Sequence, residues 1–219
     1  MNRRDFSALG LSALALAAGQ AQAQGGPVEG KNFKRLSSQL PTTPGKIEVI
    51  EFFWYGCPHC YALEPMLHEW VKQLPADVSF RRMHVGFRAN IKPHQKLFFT
   101  LEALGKAEEL QARVFDAFHR ERVDVDSDKD MLTLATRLGV DGQKFTEMYN
   151  SFGINGKLQQ ANRLFEAYNM DGVPALAVGG RFWTAPSMAG TAGMNEQELG
   201  MRALQIVNTL IQRVRSGKV

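Results

Sequence analysis

A β-branched and aromatic run, Lys46 to Tyr55, passes without a linker through Gly56-Cys57-Pro58-His59-Cys60 into a stretch of helical periodicity. That junction constrains the fold more than any other feature of the chain. The run before it follows turn-forming residues and has the composition of a largely buried strand. From Pro58 through Leu74, apolar Leu63, Met66, Leu67, Trp70, Val71 and Leu74 recur at three- and four-residue steps, so a helix is predicted to start directly on the strand's end. Pro58 suits its first turn, because the ring presets φ and the missing N–H has no partner there. Val78 to Val85 reads as a second strand, which completes a β–α–β unit.

Beyond about Asn90 the pattern turns helical and stays so to Tyr168. The predicted helices are Pro93–Leu104 ending at Gly105, Ala107–His119, Met131–Leu138 behind a capping-box sequence at Ser127 to Asp130, Gln143–Phe152 and Gly156–Tyr168. Strands then return at Pro174–Val178 and Arg181–Thr184 around a Gly179-Gly180 hairpin turn. Asn195 to Glu198 caps a last amphipathic helix running to about Arg215. The order is therefore β–α–β, a helical block, then β–β–α.

Cys57-Pro58-His59-Cys60 is the segment that carries chemistry. A cysteine at a helix N-terminus faces unpaired N–H groups and the positive end of the dipole, which favour thiolate over thiol. Cys57 is thus the expected nucleophile. Cys60, less than one turn on and on the same side, is placed to close a disulfide with it or to resolve a mixed one. Pro58 and His59 add no negative charge, and a protonated His59 would stabilise the thiolate further. An ordinary thiol near ~8.5 is only about 3% ionised at neutral pH; each unit of lowering is about 1.4 kcal/mol, or about 30 mV for this couple. Stabilising the reduced thiolate makes the disulfide a stronger oxidant.

Composition removes most other readings of the two cysteines, the only ones in 219 residues. A disulfide scaffold or a Cys₄ zinc site is excluded by the count. Haem attachment needs His directly after the second cysteine, where Tyr61 stands. No metal site is expected, since two more ligands would have to come from His59, His68, His84, His94 and His119, none at zinc spacing; His68 and His84 read as plain surface or core residues. A formal charge of +4, dispersed along the chain, gives no basis for nucleic-acid binding.

The first two dozen residues read as an address. Arg3 and Arg4 precede a short apolar run from Leu9 to Ala18, and Ala21-Gln22-Ala23 fits cleavage before Gln24. The run is shorter than the roughly 20 residues of a membrane span. Asn2 to Phe6 also resembles a twin-arginine signal. With residues 1–23 as signal peptide, by the Sec or the twin-arginine route, the expected compartment is the bacterial periplasm, where disulfides persist.

Four segments carry a family resemblance: Glu-Phe-Phe-Trp-Tyr-Gly-Cys-Pro-His-Cys at 51–60, Met-His-Val-Gly-Phe at 83–87, Asn-Ser-Phe at 150–152 and Gly-Val-Pro-Ala at 172–175. In these the chain resembles the DsbA family. The resemblance implies an α/β thioredoxin fold with a mixed sheet and an inserted all-helical domain, divided here as 24–89, 90–168 and 169–219. It implies that Cys57 is the exposed attacking cysteine, Cys60 the buried resolving one and His59 the residue that tunes the pair, with Pro58 between. Pro174 matches a cis-proline loop facing the active site, and Val173 just before it would offer backbone groups to an extended substrate. Phe87 and Pro186 fall where the family lines its peptide groove.

Glu51, six residues before Cys57, sits in a strand that otherwise reads as core. Burial of a lone carboxylate is costly, so a partner or a raised pKa is expected unless it faces solvent at a strand edge. The family places a lysine beside this glutamate, and here that position is Arg82, leaving Glu51 alone to carry any proton to Cys60.

The resemblance implies a monomeric oxidase of protein dithiols with no cofactor beyond its redox-active disulfide. Its clients would be reduced, unfolded exported proteins, and a DsbB-type quinone-linked membrane oxidase would regenerate it. A reductase or isomerase of the same fold, an oxidase with few clients and a metal chaperone or peptide-binding module remain as alternatives from sequence.

Overall fold

The computed structural model describes residues 26–123 and 125–218, so the expected leader at 1–23 lies outside it. A two-residue strand, β1 (Lys34–Arg35), comes first. β2 (Ile47–Phe53), α1 (Pro58–Val71) and β3 (Val78–His84) form the β–α–β unit. After a short 3₁₀ turn come α2 (Lys92–Ala103), α3 (Ala107–His119), α4 (Asp128–Arg137), α5 (Gly142–Tyr149) and α6 (Phe152–Ala167). The chain returns through β4 (Ala175–Val178), β5 (Phe182–Thr184), the single turn α7 (Pro186–Ala189) and α8 (Glu196–Arg215). Among the described residues no helix is long and apolar enough to cross a membrane.

The strands make one mixed sheet in the order β1-β5-β4-β2-β3. β2 is parallel to β3 through the α1 crossover and antiparallel to β4. This is a thioredoxin fold with an all-helical insertion between β3 and β4. Gly179 and Gly180 join β4 to β5 with φ of 60° and 67°, a pair of left-handed positions that a two-residue hairpin of this type requires and that glycine adopts without a Cβ clash.

Two cores flank the sheet. Val49, Leu176 and Val178 pack with Leu63 and Leu67 of α1 and with Val207 and Leu210 of α8. The other core joins the sheet to the insertion, and Phe53 is its hinge-pin. Fully buried, it meets Tyr55 and Phe98 edge-on at 5.1 Å and Phe115 at 5.9 Å between ring centroids. The strand that positions the cysteines is thereby packed directly against α2 and α3.

Both sequence-read capping boxes are present, Ser127 with Asp130 and Asn195 with Glu198. The α5–α6 boundary differs from expectation. Phe152 opens α6 instead of closing α5, because Ser151 Oγ accepts the Ile154 N–H at 3.4 Å as an N-cap. Phe152 itself is 90% exposed.

Candidate active site

Cys57 is the N-cap of α1, with extended backbone at φ −85° and ψ 116°, and its N–H donates to the Trp54 carbonyl at 3.0 Å. The turn that delivers it is held from the insertion. Tyr55 donates its hydroxyl to Gln111 Oε1 at 2.9 Å, and His119 Nε2 donates to the Tyr55 carbonyl at 2.8 Å. Tyr61 stacks on the His119 ring at 4.7 Å. The insertion therefore fixes where the sheet presents its thiol.

The Cys57 thiol is lowered to about 6, first by a hydrogen bond from the Cys60 thiol, then by the backbone N–H groups of Cys60 and His59 and by the charge of His59; burial opposes them. At pH 7 such a group is about 90% thiolate, against about 3% for an ordinary thiol. Cys60 goes the other way. Fully buried, its thiol is pushed well above the ordinary value by desolvation, by its bond to Cys57 and by the negative charges of Cys57 and Glu51. Both are free thiols here. One difference between them is smaller than the resemblance implies: Cys57 is itself only 6% exposed, because the loop before β4 lies over it and sets the Val173 carbonyl 3.5 Å from its Sγ.

That loop contains the cis peptide Val173–Pro174. Val173, Pro174, Ala185 and Pro186 line a groove of about 210 Å³ together with His59, Leu63 and Leu199. Phe87 is not among its lining residues. It stands half-exposed against Trp54, 6.1 Å between ring centroids, over a separate polar cleft with Arg88 and Lys92. An acidic neighbour that the tetrapeptide lacks is supplied in space, since Glu196 of α8 bonds His59 Nδ1 through Oε1.

Glu51 is fully buried, on a strand paired on both sides, so a solvent-facing edge position is ruled out. Arg82 is its register partner on β3 and donates from Nε to Glu51 Oε2 at 3.1 Å. The same guanidinium donates to Glu64 of α1 at 2.9 and 3.2 Å and also bonds Glu108 of α3. Among the described residues Glu51 Oε1 has no hydrogen-bond partner. One cation serves three carboxylates, and the surplus negative charge favours holding a proton in the cluster. Accordingly Glu51 is pushed up to about 8, by burial first, against the pull of Arg82. Glu64 is raised for the same first cause.

Glu64 and Glu108 are the members that sequence reasoning missed. Glu64 left a signal, being four residues after Cys60 and hence on the same face of α1, between Leu63 and Leu67. Glu108 left none. His84 and His94 are satisfied core groups: His84 Nε2 accepts the Tyr55 N–H at 3.2 Å while Nδ1 donates to the Val85 carbonyl, and His94 Nδ1 accepts from the Trp54 indole at 2.9 Å while Nε2 donates to the Val125 carbonyl. Burial lowers both pKa values, as those neutral tautomers require.

The chain is similar to known proteins in sequence and fold. Residues 48–194 match the family described as DSBA-like thioredoxin domain. The thiol:disulfide interchange protein DsbA of Bordetella pertussis is 41% identical over 215 residues, 97% of this chain and 96% of that protein. The protein of the same name from Burkholderia cepacia is 38% identical over 216 residues, 95% of this chain and 96% of its own length. The crystal structure of Pseudomonas aeruginosa DsbA superposes with a TM-score of 0.81 at 37% identity, covering 88% of this chain and 96% of that one.

Proposed function

The chain belongs to the DsbA family of thiol:disulfide interchange proteins, and from that membership and the geometry of Cys57 we propose how it acts as a thiol:disulfide oxidoreductase. It oxidises dithiols of newly exported proteins in the periplasm. The observation that carries this reading is the placement of Cys57 at the cap of α1, with its thiol lowered to about 6, beside the Val173 carbonyl.

In the oxidised protein a substrate thiolate attacks Cys57 Sγ. The new bond is the mixed disulfide, the Cys57–Cys60 bond breaks, and the electron pair goes to Cys60. Its raised pKa demands a proton, and Glu51, which holds one up to about pH 8, is the group placed to give it. A second substrate thiolate then attacks the substrate sulfur of the mixed disulfide. Cys57 leaves as a thiolate and needs no proton near neutrality, which makes it the better leaving group. Two electrons have moved from the substrate dithiol to the cysteine pair, with no cofactor besides that pair. His59 tunes the couple through its charge, Pro58 opens α1, and Val173 offers its backbone to an extended substrate lying along Pro174 and Pro186. Reoxidation by a DsbB-type quinone-linked membrane protein closes the cycle, and the protein acts as a monomer.

The test is oxidation of a reduced, unfolded protein by the oxidised chain. Cys57→Ser is expected to abolish it. Retained dithiol oxidation by that variant would overturn the assignment.

A further inference from the structure

The groove beside Cys57 has an apolar floor and an acidic mouth. Leu63, Val173, Pro174, Ala185, Pro186 and Leu199 form the floor. The carboxylates at the mouth come from two distant parts of the chain, Asp171 two residues before Val173 and Glu196 in the first turn of α8. Both are exposed, and among the described residues no Lys or Arg lines the groove. His59 is the one cationic group it can present, and that ring is already engaged by Glu196. This acidity is local, since the chain as a whole carries a formal charge of +4.

Taking the proposed dithiol oxidation as its basis, we infer that Asp171 and Glu196 are specificity-determining residues that select client segments with Lys or Arg flanking the reacting cysteine. An extended segment reaching Cys57 passes Val173, and its neighbouring side chains, at ~3.3 Å rise per residue, come within reach of Asp171 on one side and Glu196 on the other. Apolar contact with the floor holds the segment, and the carboxylates set which flanking charges are favoured. Opposite charges at a rim raise association, and like charges disfavour it. For one exposed pair the effect is about 1.5- to 5-fold, so the two together give a preference of about two-fold or more.

The probes are two reduced dithiol peptides identical except for Lys or Glu on either side of the first cysteine, with kcat/KM for oxidation measured for each. A basic flank also lowers the peptide's own thiol pKa, so the telling quantity is the Lys-to-Glu ratio compared between the native protein and Asp171→Asn/Glu196→Gln, in which the peptide's own contribution cancels. A ratio that drops about two-fold or more in the double variant supports the inference. A ratio equal in both proteins overturns it. The single variant Asp171→Asn, altered only at an exposed loop carboxylate, is expected to give part of that drop and serves if the double variant fails to fold. Oxidation of neither peptide by the native protein would instead contradict the oxidase reading itself.

Discussion

Arg82 Nε donates to Glu51 Oε2 at 3.1 Å between directly paired positions of β3 and β2, with both side chains closed off from water. In an isolated pair this contact would hold the carboxylate ionised. Here Glu64 and Glu108 draw on the same guanidinium, and desolvation wins at Glu51, whose pKa is up at about 8.

Glu51→Gln should therefore change how stability depends on pH. The folded pKa of about 8 lies above the unfolded carboxylate value of ~4.3, so the folded state binds the extra proton between them. Stability contributed by the protonated group is full below ~4.3 and is lost as pH rises through 8. The variant cannot lose it. Urea denaturation of the reduced protein at pH 5 and pH 8 is expected to show a smaller decline for Glu51→Gln, with a relative gain at pH 8 on the order of 1–4 kcal/mol. An unchanged decline would show that Glu51 is ionised across the range.

Arg82→Met leaves three carboxylates around an apolar side chain. Removing one partner of a buried ion network costs about 3–5 kcal/mol, and here the loss should be largest at neutral pH and shrink in acid as the carboxylates take up protons. Arg82→Lys keeps the charge but replaces a fork by a point donor that cannot serve β2, α1 and α3 together, so an intermediate loss is expected. Denaturant midpoints at constant m-value measure both. Equal stability of Arg82→Met and native protein at pH 7 would contradict the role assigned to the network.

Phe53→Ala removes the ring on which the sheet and the insertion meet. A fully buried Phe replaced by Ala costs about 3–5 kcal/mol. Because Tyr55 and Phe115 pack on that ring and Tyr55 also bonds Gln111, dithiol oxidation should fall along with the denaturation midpoint. A loss below about 1 kcal/mol would mean that the two cores are held together elsewhere.

Much of this was legible in the sequence because it is local. The switch from strand to helix at Cys57, both capping boxes and the Gly179-Gly180 turn each depend on a few consecutive residues. Glu51 stood out as a charge inside an apolar strand, and Arg82 followed from the family resemblance. The rest depends on contacts that spacing does not encode. Glu108 is an ordinary exposed helical residue until the fold brings α3 over β3. Glu196 lies 137 residues from His59 and reaches it only because α8 packs beside α1. The shielding of Cys57 depends in the same way on a loop 116 residues away.

The claim on which the rest depends is that the fold stabilises the Cys57 thiolate, and the ultraviolet absorbance of the thiolate in reduced protein, followed against pH, tests it directly. A single ionisation with a midpoint near pH 6 is expected, absent in Cys57→Ser and with no second step from Cys60 below pH 9. A midpoint at the ordinary thiol value of ~8.5 would contradict it and remove the physical basis for an oxidising disulfide.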